Sequence, residues 1–334
     1  LKEEILSGVR CINKNLKVVL CLLVICACLS GCKINEYDLP YDVNSNISAY
    51  SFGSTQSDKM LTSFASNICV VNEDVNSDKA DIPRTEAGCL FNRTDNTTVY
   101  AKSANVKLHP ASTTKVMTAI LALKYGKLDD ILTASENVEI KESGAQLCGF
   151  KQGDKATLEQ VLYGLLLYSG NDAGVMIAEY VSGSEEAFAK LMNEEAKKLG
   201  ATNTNFANAH GLTDDSHLTT AYDLYIIFNE ALKYDKFKEI INTKTYKTSY
   251  SSANGGTKNL DIENTNRFIN GKYSAPSGVT VIGGKTGTTK AAGGCLLLYS
   301  INSSSNDEYI SVVMKSENVD SMYEDTSSLL ILEN

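Results

Sequence analysis

The stretch Ser112-Thr113-Thr114-Lys115 opens a helical pattern that is apolar on several faces and decides how we interpret the fold. Pro110 stands just before the pattern and Gly126 just after it, which are typical signals for the start and end of a helix. The apolar positions are Val116, Met117, Ala119, Ile120, Leu121 and Leu123. A helix that is apolar nearly all round is a buried one, so we predict a core helix over 112–125.

Strand patterns come from both ends of the chain, and a helical block lies between them. The predicted strands are 66–72, 87–91, 97–101, 279–282, 295–301 and 309–314, and a turn at 93–96 makes the third a hairpin partner of the second. The other predicted helices are 158–168, 172–181, 185–199, 220–232 and 320–332. This order predicts an α+β fold, in which an antiparallel sheet is flanked by helices and carries an inserted helical subdomain at about 127–240.

Ser112 and Lys115 have the chemistry of a nucleophile and its base. Residues three apart on a helix share one face, so the two side chains should project together. A serine hydroxyl needs a base within hydrogen-bond reach, and burial lowers the pKa of a lysine enough for a neutral amine to act as one. The Ser112 N–H, in the first turn, is a candidate oxyanion donor. The alternative is that Ser112 only caps the helix.

Ser169-Gly170-Asn171 lies on a turn between two helical patterns. The Asn171 amide suits contacts to both a peptide carbonyl and Lys115, and Ser169 is placed to relay a proton to a leaving amine. The alternative is a plain helix-breaking turn in which Asn171 or Asp172 is the N-cap of the next helix. We expect Asp172 to have that capping role whether or not the other two residues are catalytic.

Lys285-Thr286-Gly287-Thr288 follows the apolar pattern at 279–282 and two glycines, Gly283 and Gly284. We expect these glycines to let an extended substrate approach the strand edge and add to it as an extra strand. Lys285, Thr286, Gly287 and Thr288 are therefore the predicted substrate-binding residues, and the Thr288 N–H is the second candidate oxyanion donor. Taken alone, this stretch would be read as a glycine-rich hairpin with a solvated lysine.

The three stretches, in this order, match the motif set of penicillin-binding proteins and class A β-lactamases. Five longer segments make the chain similar to the serine D-alanyl-D-alanine carboxypeptidase family, the low-molecular-mass penicillin-binding proteins: 110–119, 165–173, 208–212, 219–224 and 283–288. The resemblance implies a β-lactamase/transpeptidase-like fold and attack by Ser112 on the bond between two terminal D-alanines of a peptidoglycan stem peptide. It implies no metal or cofactor, and inhibition by β-lactam antibiotics.

Two departures from the family pattern affect the expectations. Relatives often carry an arginine just before the element Tyr323-Glu324-Asp325 that helps to bind the substrate carboxylate, whereas Ser321 and Met322 stand there in this chain. Many relatives also continue into a β-rich domain and a C-terminal amphipathic anchor, while this sequence stops at Asn334. We expect an anchor at the N-terminus instead.

That N-terminal expectation rests on basic residues followed by an apolar run at 18–29 and the sequence Leu29-Ser30-Gly31-Cys32. It is typical of a bacterial lipoprotein signal, so we predict a signal peptide at 1–31, lipidation of Cys32, a flexible tether at 32–64 and a catalytic domain at 65–334. The protein would then be exported and lipid-anchored at the extracytoplasmic face of the membrane. An ordinary signal or anchor segment that happens to contain a cysteine is the alternative.

Composition excludes little else. The net charge is −9 and no basic block stands out in the body, so nucleic-acid binding has little support.

His210 and His217, with Asp214 or Asp215, could be drawn as a zinc site, but there is no H-E-x-x-H helix. Export permits disulfides, although the apolar neighbours of the body cysteines favour free, buried thiols at the following positions: Cys69, Cys89, Cys148 and Cys295.

Two other functions remain open at this point. A β-lactamase shares the first chemical steps, but class A enzymes hold their hydrolytic water with a glutamate, and no Glu-x-x-Leu-Asn element stands between the second and third stretches. Glu194 and Glu195 do not have that arrangement. A non-catalytic module that binds cell-wall peptides would not need Ser112, Lys115 and Asn171 together.

Overall fold

The computed structural model describes residues 68–334. The predicted signal peptide at 1–31, Cys32 and the tether at 32–64 lie outside the described residues. The strands are β1 (Thr85–Asn92), β2 (Thr97–Lys102), β3 (Ile131–Thr133), β4 (Lys155–Thr157), β5 (Thr245–Ser251), β6 (Thr257–Glu263), β7 (Val279–Thr289), β8 (Gly293–Asn302) and β9 (Glu308–Ser316). The helices are α1 (Lys115–Tyr125), α2 (Leu158–Leu166), α3 (Asn171–Ser182), α4 (Glu185–Leu199), α5 (Ala221–Ala231), α6 (Asp235–Asn242), α7 (Arg267–Asn270) and α8 (Val319–Leu330).

The main sheet has five antiparallel strands in the order β2-β1-β9-β8-β7. Both faces of this sheet are covered. Successive residues of its inner strands point to opposite faces, and both sets are therefore buried. In β8, Cys295 and Leu297 pack against the helical block, while Leu296 and Leu298 pack on the opposite face beneath α8. The α+β architecture with strands from both ends of the chain is therefore as predicted. The edge position of β7 leaves one side of that strand without a partner strand in this sheet, and there it borders the site described below.

The predicted helices are present, and most of their ends agree within one or two residues, whereas α6 and α7 were not predicted. The predicted helix over 112–125 divides into a 3₁₀ turn, Ala111–Thr114, and α1, whose first eight residues are all buried. The expected strand at 66–72 is wrong for its described part, because residues 68–72 form no strand. The backbone of Cys69 is bonded to two tyrosine side chains instead of to a neighbouring strand. Its N–H donates to the Tyr225 hydroxyl at 2.9 Å, and its carbonyl accepts from the Tyr222 hydroxyl.

A second sheet, β3-β4-β5-β6, was not predicted from the sequence. Two of its strands are only three residues long, and the β5–β6 hairpin alternates largely exposed residues with partly buried ones. The pair β3–β4 lies within 127–240, and β5–β6 follows it, so the region beside the main sheet is not purely helical. None of the helices in 68–334 has the length and apolar character needed to cross a membrane.

Candidate active site

Ser112 lies in the 3₁₀ turn that leads into α1, and neighbouring contacts fix the shape of that turn. The hydroxyls of Thr113 and Thr114 each donate a 2.7 Å hydrogen bond back to the carbonyls of Pro110 and Ala111. Ala111 has the left-handed φ of 49°, an uncommon conformation for a residue with a side chain. A Cβ at Gly211, whose own φ is +88°, would overlap the carbonyl of Ala111, so a glycine is needed for this close approach. Ser112 itself makes no side-chain cap.

Lys115 is fully buried directly behind Ser112. Its Nζ lies 2.9 Å from Ser112 Oγ, 2.6 Å from Asn171 Oδ1 and 2.6 Å from the His210 carbonyl oxygen. In its neutral form the amine can donate its two N–H bonds to the two oxygens at 2.6 Å, which leaves its lone pair for the Ser112 hydroxyl. Burial, followed by the charge of Lys285, holds the pKa of Lys115 well below its ordinary value of 10.5. The pair therefore has the geometry of a nucleophile beside its base, and the shift in the pKa of Lys115 has the direction that a base requires.

The turn at Ser169 brings the second stretch beside the first. Ser169 has a left-handed φ of 69° and is buried, and Asn171 begins α3 with Gly170 as its N-cap. Our expectation that Asp172 is the N-cap is wrong, because it lies in the first turn of α3. Its carboxylate accepts the N–H groups of Cys148, Gly149 and Phe150 at 2.9, 2.8 and 3.1 Å. Asp172 thereby fastens the loop before α2 against the start of α3.

The third stretch forms part of β7, which runs well beyond the predicted strand at 279–282. Lys285 is buried, and its Nζ donates to Ser169 Oγ at 3.0 Å and to the Thr286 carbonyl at 2.8 Å. Burial lowers the pKa of Lys285 to about 7, so this residue is not the solvated lysine of the alternative interpretation.

The glycines around Lys285 have a different role from the one we expected. Gly283 and Gly284 are buried, and a Cβ on either would collide with Ile241 or the Leu297 carbonyl, so they serve the packing of α6 and β8 rather than substrate access. Gly287 is the one that meets the site: a Cβ there would lie 2.9 Å from the Ser112 nitrogen. A glycine at 287 thus lets β7 run directly beside the Ser112 turn.

These residues border an open cleft of about 570 Å³. Ser112, Ser169, Asn171, Thr286, Gly287 and Thr288 all line it. Ser112 is half-buried and Thr288 exposed, so a ligand in the cleft would reach both. The loop residues 142–146 also line the cleft, and the Gln146 carbonyl accepts the Asn171 N–H at 2.8 Å. The structure therefore brings the predicted catalytic and substrate-binding residues together.

Thr265 and Arg267 are among the cleft residues that sequence reasoning missed. They precede and open the four-residue helix α7, which carries no motif and no periodicity that would single them out. The Thr265 and Thr286 hydroxyls lie 2.7 Å apart, which places this segment along the same wall as β7. Met322, at the position where relatives often have the arginine, also lines the cleft but is buried and uncharged.

His210 and His217 have protein partners on both ring nitrogens. His217 accepts from the Ala207 N–H through Nδ1 and contacts Thr114 Oγ1 through Nε2 at 2.8 Å, and burial lowers its pKa to about 3. His210 accepts from the Leu212 N–H and lies 3.1 Å from Glu185. No group of three possible metal ligands occurs within 68–334. The contact between His217 and Thr114 therefore stabilises the 3₁₀ turn that carries Ser112.

Other residues weighed from the sequence lie away from the reacting groups. Glu195 pairs with Lys124 at 2.6 Å, and neither it nor Glu194 lines the cleft. The four body cysteines are free thiols: Cys69, Cys89 and Cys295 are buried, and Cys148 is partly buried beside Gly170.

The sequence model of the D-alanyl-D-alanine carboxypeptidase family matches residues 75–318. The chain is 39% identical to the D-alanyl-D-alanine carboxypeptidase DacF of Bacillus subtilis over 218 residues, covering 63% of this chain and 52% of that protein. It is 36% identical to DacC of Escherichia coli over 200 residues, covering 57% and 47%. The chain thus spans about half the length of these curated relatives.

A solved structure resembles it as well. The K15 DD-transpeptidase of Streptomyces superimposes with a TM-score of 0.70 and 28% sequence identity, covering 77% of this chain and 99% of that one. The β-lactamase/transpeptidase-like fold expected from the motifs is thereby confirmed.

Proposed function

The chain belongs to the D-alanyl-D-alanine carboxypeptidase family, and we propose that it removes the terminal D-alanine from peptidoglycan stem pentapeptides through an acyl-enzyme on Ser112. The observation that carries this proposal is the 2.9 Å contact between Ser112 Oγ and the buried amine of Lys115, at the edge of an open cleft. The catalytic domain assigned here is 65–334.

In the acylation step, Lys115 accepts the hydroxyl proton of Ser112 as Oγ attacks the carbonyl of the scissile peptide bond. The lowered pKa of Lys115 supports this role, because it favours the neutral amine that can accept a proton. Asn171 holds Lys115 through its Oδ1, which leaves the amide nitrogen of the same side chain for the substrate.

The tetrahedral intermediate carries a negative oxygen that needs two donors. We assign them to the backbone N–H groups of Ser112 and Thr288. The close approach of β7 to the serine turn at Gly287 supports this assignment, since it brings the two segments onto one side of the cleft.

Collapse of the intermediate requires a proton on the leaving D-alanine nitrogen. We assign Ser169 to give that proton. Lys285 supports it, because its amine donates to Ser169 Oγ at 3.0 Å and its pKa of about 7 suits an amine that replaces the lost proton. Water then hydrolyses the acyl-enzyme, and a β-lactam antibiotic would occupy Ser112 as a slowly hydrolysed analogue. The chemistry uses no metal or cofactor.

We further propose that the protein acts outside the cytoplasm, at the cell wall. Its N-terminal sequence supports export and attachment of lipid to Cys32, with residues 32–64 as the tether. Cys32→Ser should release the protein from the membrane fraction, and a variant that stays in that fraction would contradict the lipid anchor.

The proposed activity is tested by measuring D-alanine release from a pentapeptide that ends in D-Ala-D-Ala, with and without penicillin. We expect release by the wild-type protein, inhibition by penicillin, no effect of EDTA and no release by Ser112→Ala. Rapid turnover of nitrocefin without D-alanine release would favour a β-lactamase. If fluorescent penicillin does not label the folded wild-type protein, both the carboxypeptidase and the β-lactamase assignments are wrong.

A further inference from the structure

His210 contacts the catalytic base without lining the cleft. Its backbone carbonyl accepts the Lys115 amine at 2.6 Å, so it is one of the two acceptors that leave the lone pair of a neutral amine for Ser112. The proposed mechanism uses this carbonyl alone. The imidazole of the same residue is buried and has a carboxylate partner, and the reaction described above gives it no role.

The carbonyl belongs to the peptide unit between His210 and Gly211, and that unit is held at both of its polar atoms. Its N–H, on Gly211, donates to Asn208 Oδ1 at 2.7 Å, while its oxygen faces Lys115. Gly211 also lies so close to the Ala111 carbonyl that a Cβ would overlap it. The freedom that the carbonyl retains therefore depends on how firmly His210 itself is held.

Hydrogen bonds to both ring nitrogens hold the His210 side chain. Nδ1 accepts the Leu212 N–H at 3.2 Å, so in this arrangement the ring proton is on Nε2. Nε2 lies 3.1 Å from Glu185 Oε1 and donates to it. The same oxygen accepts the Ala209 N–H at 3.2 Å. One carboxylate oxygen thus holds both the imidazole and the backbone that precedes it.

Glu185 is the first residue of α4 and does not line the cleft. Burial alone would raise the pKa of Glu185, but the hydrogen bond from His210 and other contacts outweigh burial and hold the pKa below its ordinary value of 4.5. The carboxylate is therefore ionised at neutral pH, and an ionised acceptor makes the stronger hydrogen bond.

Two other helices pack on the same backbone. The Thr118 hydroxyl of α1 donates to the Ala209 carbonyl at 2.6 Å. In α3, a Cβ at Gly174 would lie only 3.2 Å from the Cβ of His210. Close packing of this kind transmits a displacement instead of absorbing it, so a shift of the imidazole should also shift the His210 carbonyl.

Resting on the proposed function, we infer that Glu185 is a positioning residue for acylation: by holding the imidazole of His210, it fixes the carbonyl that orients the amine of Lys115. Glu185 touches neither the substrate nor the reacting atoms. Its effect should therefore fall on the chemical step and not on the binding of the ligand.

The test measures acylation by penicillin in single turnovers, which separate the dissociation constant of the first non-covalent complex from the rate constant of acylation. Glu185→Leu keeps a side chain of similar size but removes the acceptor. We expect it to lower the acylation rate constant by about 10- to 100-fold and to leave the dissociation constant within about twofold. Glu185→Gln keeps an oxygen that can accept from the imidazole and should restore most of the lost rate.

Glu186→Leu is the matched control. Glu186 also lies in the first turn of α4, but its side chain is 83% exposed and pairs with Lys190. Each substitution removes one negative charge from the start of the helix, where such a charge stabilises it. Glu186→Leu should acylate at the wild-type rate, and a loss equal to that of Glu185→Leu would overturn the inference, because the helix charge would then explain both.

A second comparison asks whether Glu185 acts through the imidazole. His210→Ala removes the ring and leaves the backbone carbonyl in the chain. In this background, adding Glu185→Leu should lower the acylation rate constant by much less than it does in the wild-type protein, because the two residues act as a unit. Multiplication of the two single effects would show that Glu185 does not act through His210.

The outcomes separate this inference from the proposed function. A folded wild-type protein that is not acylated by penicillin and releases no D-alanine would reject both. If the wild-type protein is acylated and Glu185→Leu keeps the rate constant within twofold, the positioning role is wrong and the proposed function stands. Should Glu185→Leu fail to fold, Glu185→Ala takes its place, since alanine favours the helix and also lacks the acceptor. A wild-type rate constant in that variant would equally overturn the role of Glu185.

Discussion

Lys285 lowers the pKa of Lys115: after burial, its charge is the second cause of the shift. Two buried lysines repel each other when both are protonated, so a protonated Lys285 favours the neutral form of Lys115. One of them contacts Ser112 Oγ and the other Ser169 Oγ. The arrangement favours a neutral base, Lys115, next to the nucleophile. The second amine, Lys285, can hold a proton beside Ser169.

This coupling predicts a change in pH dependence for Lys285→Gln. Without the repelling charge, the ammonium form of Lys115 is more stable, its pKa rises, and a higher pH is needed to free the base. The acidic limb of the rate of acylation by penicillin should therefore move to higher pH, measured as a pH profile under single-turnover conditions. Lys247→Gln, which removes a lysine paired with Asp261 at the surface, should leave the limb in place. An unmoved or acid-shifted limb in Lys285→Gln would show that the two amines are not coupled.

Gly287→Ala tests the close approach of β7 to the serine turn. The added methyl would lie 2.9 Å from the Ser112 nitrogen and 3.1 Å from the Pro110 carbonyl, so one of the two segments must move. Displacement of a reacting group by a fraction of an ångström to 1 Å lowers rates by about 10- to 100-fold, and we expect a loss of that size in acylation rate. Gly256→Ala, in the β5–β6 turn, adds the same methyl with 3.3 Å contacts to flexible side chains and should acylate at the wild-type rate.

Asp172→Ala should destabilise the protein by about 2–4 kcal/mol, because three backbone N–H groups would lose their shared acceptor. Chemical denaturation measures this change. Asp261→Ala removes an exposed aspartate paired with Lys247 and should cost less than about 1 kcal/mol. Equal losses in the two variants would mean that Asp172 does not fasten the loop at 148–150.

His217 predicts a dependence of stability on pH. Its pKa is about 3 in the folded protein and near 6.5 when exposed, so below pH 6.5 the unfolded chain takes up a proton that the folded protein does not. Stability should fall as the pH decreases from 6.5 toward 3. Between pH 7.5 and 4.5 this contribution is on the order of 2 kcal/mol. Urea denaturation should therefore show a smaller loss over that interval for His217→Asn than for the wild-type protein, and an equal or larger loss would contradict the burial of a neutral ring.

Local pattern predicted most of the main architecture. The helix over 185–199 has the bounds expected from its apolar spacing, and the strands β8 and β9 extend the predicted ones by only one or two residues at each end. These elements bury a continuous apolar face, and that face is a local property of the sequence. The contact between Ser112 and Lys115 followed in the same way from their separation by three residues on one helix.

The remaining features depend on contacts between distant segments. β3 and β4 are too short to show a period, and the sheet forms only because Lys155 of β4 pairs with the distant Ser251 of β5. Asp172 faces backbone N–H groups of a loop whose path the sequence does not reveal. Arg267 stands in a four-residue helix without a motif, and only the fold places it in the cleft. Gly283 and Gly284 were assigned to the ligand, whereas close packing against Ile241 and Leu297 requires them.

The central claim is that Ser112 becomes acylated with Lys115 as its base, and the mass of the intact protein after incubation with penicillin tests it most directly. The account predicts one penicilloyl adduct per molecule, located by proteolysis and sequencing on Ser112 and absent from Ser112→Ala. It also predicts that Lys115→Met forms the adduct at least about 100-fold more slowly. A folded wild-type protein without the adduct, or an equal adduct on Ser112→Ala, would contradict the account.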